Sequence, residues 1–255
     1  MNDIDAGQLA VLARQRIYFG HQSVGQNILA GMHRLAAANP DLHLNFVHLG
    51  SSGTAESPAA LGDDGWFADS YIGSNADPAA KNRDFAATVA ALPRMDFAFA
   101  KYCYLDIGPA ADVQTVFRHY QETLAALRAA HPDITFVHVT APLTVLQRGP
   151  KAWVKQLIGR DISGHADNIK RHEYNELLRQ AYLGREPLFD LARLESTRPD
   201  GTRVTFEDGG RTYFALAPEY TPDDGHLNAP AQAYVAAKLL GFLASLTPRQ
   251  APAHR

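Results

Sequence analysis

Two short segments at opposite ends of the chain contain residue types that could do nucleophilic chemistry. Residues 20–23 read Gly-His-Gln-Ser, and residues 223–226 read Asp-Asp-Gly-His. A serine hydroxyl is a poor nucleophile until a neighbouring base takes its proton. Histidine suits that task because its unperturbed pKa is ~6.5. A carboxylate on the far ring nitrogen fixes the tautomer and steadies the imidazolium. Ser23, His226 and Asp223 are the candidates for these roles, with Asp223 preferred to Asp224 by its spacing to the histidine. A serine just before a helix also has free backbone N–H groups at hand, which can hold an oxyanion. The ordinary alternative for such a serine is an N-cap, and the Asp-x-x-His segment before the last helix argues against it.

The elements that must bring these segments together follow from hydrophobic spacing. Apolar runs predict strands at about 16–20, 42–49, 96–100, 134–140 and 187–191. Helical spacing, as in Ile28, Leu29, Met32 and Leu35, predicts helices at about 6–15, 24–38, 80–92, 110–130, 166–183 and 229–246. Residues 203–206 and 211–215 flank Glu207-Asp208-Gly209-Gly210 and read as an added β-hairpin. Residues 55–79 and 141–162 read as long irregular loops, and such loops in a compact domain are usually functional or mobile. Uniformly apolar strands alternating with helices predict a three-layer α/β/α sandwich around a parallel five-stranded sheet, as one domain over residues 1–247 with a flexible tail at 248–255. Ligands of such sheets bind beyond the carboxyl ends of the strands. Those ends lead into Gly20-His21-Gln22-Ser23, Gly50-Ser51-Ser52-Gly53 and Lys101-Tyr102-Cys103-Tyr104-Leu105-Asp106.

Composition removes other classes. The 255 residues carry a formal net charge of −3 with no clustered Lys and Arg, so no nucleic-acid footprint is present. Cys103 is the single cysteine, which rules out an internal disulfide and reads as a small buried hydrophobe. The first residues, MNDIDAGQLAVLARQR, do not read as a secretory leader, and no apolar stretch approaches the ~20 residues of a membrane span. A cytoplasmic, membrane-free protein is the expectation. The 11 histidines show no metal-ligand spacing, and no Gly-x-Gly-x-x-Gly or phosphate loop occurs, so neither a metal nor another cofactor is expected.

Taken together, these segments resemble the SGNH/GDSL hydrolase superfamily, in a divergent branch, over roughly residues 15–245. Ser23 in Gly20-His21-Gln22-Ser23 matches the serine of the family's Gly-Asp-Ser block. Asp223 and His226 match its Asp-x-x-His, and Gly53 matches the glycine whose N–H joins the oxyanion hole. The resemblance implies a flavodoxin-like sheet and a serine esterase acting on a small-molecule or carbohydrate ester, such as an O-acetyl group. It leaves the oligomeric state open. Two departures stand out. Gln22 replaces the family's Asp, and Leu105 falls where the family has an oxyanion-binding Asn. Tyr104, Lys101 and Asn27 are the candidate replacement donors. His21, Gln22, Lys101, Tyr104 and Asp106 are candidates for substrate contacts, Asp106 also for capping the following helix. Trp66, Phe67 and Tyr71 could stack on a ligand or anchor their loop. The α/β-hydrolase elbow, Gly-x-Ser-x-Gly, fits less well because His21 stands at its first glycine. A non-catalytic binding protein on the same scaffold is the alternative of a different class, and a phosphoesterase would need a metal or a basic phosphate cradle.

Overall fold

The structure, a computed structural model, describes residues 6–39, 42–51, 61–62, 64–147 and 162–249. Gly53, most of the 141–162 loop and the end of the 248–255 tail lie outside these residues; Arg249 still donates its N–H to Thr135 Oγ1 at 2.9 Å.

A short helix, α1 (Ala6–Leu12), leads into β1 (Arg16–His21), α2 (Val24–Ala38) and β2 (Phe46–Ser51). Then come β3 (Trp66–Tyr71), α3 (Pro78–Ala91), β4 (Phe97–Ala100), α4 (Val113–Ala130) and β5 (Thr135–Val139). The chain continues through α5 (His165–Tyr182), β6 (Leu188–Phe189) and α6 (Leu191–Ser196), a hairpin of β7 (Thr205–Asp208) and β8 (Arg211–Phe214), and α7 (Ala229–Ala244). The main sheet is parallel, in the order β2-β3-β1-β4-β5-β6. It has six strands where the hydrophobic runs predict five. The extra strand, β3, lies inside the segment expected to be a loop. Its sequence, WFADSY, breaks the apolar run with Asp69 and Ser70, which is why it does not read as a buried strand.

Both faces of the sheet are covered, so the alternating residues of one strand enter two separate cores. Ile17, Phe19, Phe67 and Phe99 pack with Leu9 and Leu12 of α1, Ile28 and Met32 of α2, and Val235 and Leu239 of α7. Tyr18, Trp66, Ala68 and Ala98 face Phe85 of α3, Phe117 of α4 and Tyr174 of α5. Trp66 and Phe67 are 2% and 1% exposed, so both are core residues and neither is free to stack on a ligand. Strand β1 lies between β3 and β4. From β1 the chain goes first to the edge strand β2 and back to β3 on one side, then outward through β4, β5 and β6 on the other, so the switch point of the sheet falls at the carboxyl end of β1. Among the described residues no helix is long and apolar enough to cross a membrane.

Candidate active site

Ser23 sits at that switch point, in the two-residue turn between β1 and α2. Its backbone has φ +50° and ψ −106°, a left-handed region that a non-glycine residue enters only when its surroundings hold it there. Although Ser23 stands at the N-cap position, its side chain makes no capping bond. Its Oγ lies 2.7 Å from His226 Nε2. His226 Nδ1 lies 2.7 Å from Asp223 Oδ2. The other oxygen of Asp223 accepts the backbone N–H of His226 at 2.8 Å and of Gly225 at 3.2 Å. These bonds, led by the one from His226 N–H, hold the Asp223 carboxyl down at about 2, so it stays ionised beside the imidazole. Asp224 takes no part: it occupies a left-handed turn position, and its carbonyl accepts Val145 N–H.

The helices that follow these loops fix the distance between them. Helix α2 starts one residue after Ser23 and α7 starts three residues after His226, and the two pack against each other. Gly31 makes this possible, because a Cβ there would come within 2.1 Å of the Gln232 carbonyl oxygen. Arg34 donates to Gln232 Oε1, and Gln232 donates to the Leu227 carbonyl at 2.6 Å. Asn27, one turn after Ser23, accepts Leu227 N–H at 3.0 Å and so ties the histidine loop to the serine helix. This use of Asn27 Oδ1 is positional, and it was not visible in the spacing of the chain.

The block that departs from the family pattern follows β4. Leu105 is 50% exposed, whereas Tyr104 turns its ring edge-on to His226, with centroids 5.8 Å apart. The same ring closes on Gly225, where a Cβ would lie 3.3 Å from the phenol oxygen. Partial burial pushes the Tyr104 phenol up, so it keeps its proton, and it interacts with the Ser23 hydroxyl. Arg171, on α5, donates to the Tyr104 carbonyl at 2.9 Å and also grips Thr144, Asn168 and Asp167. No motif singles out Arg171, because its partners meet only in the folded chain.

The remaining candidates fall elsewhere. Lys101 is 1% exposed, and its amine turns toward the Tyr102 carbonyl and Cys103 Sγ at 3.4 and 3.6 Å. Burial pushes its pKa down. Asp106 is buried in an ion pair with Lys81 at 2.5 Å and accepts the N–H groups of Cys103 and Ala76. It is not the cap of α4; Asp112 accepts Thr115 N–H there. Gln22 donates to the Ile72 and Gly73 carbonyls beyond β3. His21 is fully buried beneath the turn, against Asp69. Substrate contact therefore has geometric support in this group only at Tyr104.

No family model matches the sequence, and a search of curated proteins returns no match. Solved structures do match. A peptidoglycan O-acetylesterase aligns with a TM-score of 0.52 at 11% identity, over 94% of this chain and 97% of that one. An acetyl esterase solved with acetate aligns at 0.49 and 14% identity, over 89% and 94%. A protein assigned to the lipolytic G-D-S-L family of Desulfitobacterium hafniense DCB-2 aligns at 0.43 and 11%, over 78% and 99%. The chain has the fold of the SGNH hydrolases.

Proposed function

We propose that the protein is a serine hydrolase that cleaves an acyl ester through an acyl-enzyme on Ser23. The observation that supports this reading best is the unbroken line Ser23 Oγ, His226 Nε2, His226 Nδ1, Asp223 Oδ2, with 2.7 Å at both hydrogen bonds. Ser23 Oγ attacks the ester carbonyl and its proton passes to His226 Nε2. The carbonyl oxygen becomes an oxyanion, held by the N–H of Ser23 and by the Tyr104 phenol in place of the family's Asn; the resemblance adds the N–H of Gly53, which lies outside the described residues. When the tetrahedral intermediate collapses, the C–O bond to the alcohol breaks and His226 returns the proton to the departing oxygen. Water then repeats the sequence and releases the acid.

An O-acetyl or other small acyl ester, carried on a carbohydrate, is the substrate class we infer. The His226 and Asp223 side chains are 38% and 51% exposed, so the alcohol part of the ester can be bulky and stay largely in solvent. A peptidoglycan O-acetylesterase on the same fold has a substrate of that shape. A fluorophosphonate probe tests the reading. One adduct on Ser23, lost in His226→Ala, is expected of an enzyme. An unlabelled protein would instead support the binding-protein alternative.

A further inference from the structure

The serine turn rests on a polar layer that the reaction above does not use. Three adjacent strands contribute one side chain each: His48 from β2, Asp69 from β3 and His21 from β1. Asp69 Oδ2 lies 2.6 Å from His48 Nδ1 and 3.0 Å from His21 Nε2. The register explains the meeting. Asp69 pairs with His48 on one side and with Phe19 on the other, and His21 is two residues beyond Phe19 on the same face. One step below lies an all-aromatic layer, with Phe46–Phe67 centroids at 5.9 Å, Phe67–Phe99 at 6.4 Å and Phe19–Phe99 at 4.7 Å. One step above, Tyr71 meets both imidazoles edge-on at 5.3 and 5.2 Å and donates its hydroxyl to Gln26 of α2.

The polar layer grades from solvent to core. The His48 side chain is 48% exposed, Asp69 7% and His21 0%. A carboxylate this deep is costly unless it is paired, and two imidazole N–H donors supply the pairing. Burial pushes the His21 pKa down, so the ring is neutral, and its Nδ1 has no hydrogen-bond partner among the described residues. The single proton of that ring is therefore on Nε2, facing Asp69. Both imidazoles address one carboxylate oxygen, and among the described residues no group of three or more ligating side chains is gathered to hold a metal.

His21 is also the surface on which the nucleophile's helix sits. A Cβ on Gly25 would come within 2.3 Å of His21 Cβ, so the first turn of α2 closes directly on it. Ser23 lies between the two, in its strained conformation. We propose that His48, Asp69 and His21 are positioning residues for the nucleophile, a hydrogen-bonded chain from the β2 surface that holds the Ser23 turn where His226 can reach it. The proposal rests on Ser23 being the nucleophile.

The test uses the full-length chain and exploits which nitrogen each ring presents. An asparagine amide replaces a donating Nδ1, and a glutamine amide a donating Nε2. His48→Asn should therefore lose less activity than His48→Gln, and His21→Gln less than His21→Asn. Asp69→Asn should lower kcat on an acetyl ester by ~10²-fold with KM within about 2-fold, the cost of a misplaced nucleophile. Wild-type kcat in Asp69→Asn, or equal losses in both members of each histidine pair, would overturn the proposal. Should Asp69→Asn fail to fold, the histidine pairs decide. A second readout needs no turnover: in ¹⁵N-histidine spectra, His21 should be the Nε2–H tautomer, and His48→Gln should shift the His226 ring signals. Unmoved His226 signals would refute the chain. An inert, unlabelled wild type would refute the hydrolase reading instead.

Discussion

Ser23 gives up a bond that its position offers. A serine at the start of a helix normally accepts an N–H of the first turn, an interaction worth ~1 kcal/mol. Here the hydroxyl turns to His226, and the backbone takes a positive φ to aim it. Asp77, Asp112 and Asn228, at three other helix starts, all make the capping bond. Tyr104 is the second residue to which the proposed mechanism gives a task. It is a protonated donor beside Ser23, in the block where the family has Asn. Tyr104→Phe should lower kcat by ~10²-fold and leave KM nearly unchanged, because an oxyanion donor acts in the transition state. Steady-state kinetics on a chromogenic acetate checks this, and an unchanged kcat would remove Tyr104 from the oxyanion hole. At this scale the sequence was most readable for Ser23, Asp223 and His226, whose side chains the structure brings into one hydrogen-bonded line. Lys101 and Asp106 looked equally chemical, and only their burial beside Cys103 and Lys81 assigns them inward roles.

Helices α2 and α7 turn two distant loops into one site. Their close approach depends on Gly31, where a methyl group would strike the backbone of α7 at Gln232. Gly31→Ala should destabilise the protein by ~1–3 kcal/mol, as overpacking does, and should lower activity as the serine and histidine loops part. Thermal melting together with esterase activity measures both, and a variant with wild-type values in each would show that the helix contact does not set the site. Helix α2 was legible to the residue because its apolar spacing is unbroken. Strand β3 was not, because its two inward-facing polar residues, Asp69 and Ser70, hide it in a Gly- and Asp-rich segment. Those residues are polar because the fold supplies partners from neighbouring strands: two imidazoles for Asp69 and the Tyr18 hydroxyl, at 2.7 Å, for Ser70. A strand that carries its own buried hydrogen-bonding groups loses the periodicity by which strands are read.

Over the whole molecule, the parallel sheet with two covered faces was plain from strands alternating with helices. The buried charges were not. Glu195 of α6 is 0% exposed; one oxygen accepts Leu143 N–H at 2.7 Å and the other has no partner among the described residues. Burial pushes its carboxyl up to about 8, against an ordinary value of 4.5. Its raised folded-state pKa means that the folded chain binds a proton at pH values where the unfolded chain has lost it. Stability from this group is complete below about pH 4.5 and falls away as pH rises through about 8. Glu195→Gln should therefore melt close to wild type at pH 5 and above it at pH 9. A melting difference that does not change between the two pH values would contradict this account of the buried carboxyl.

The most direct test of the central claim is hydrolysis of a p-nitrophenyl ester series, acetate to octanoate, by wild type, Ser23→Ala and His226→Ala. Wild-type turnover that favours the short acyl chains, with both variants lower by ~10³-fold or more, is the predicted result. Full activity in Ser23→Ala would contradict it, because the line from Ser23 through His226 to Asp223 could then not be the catalytic one.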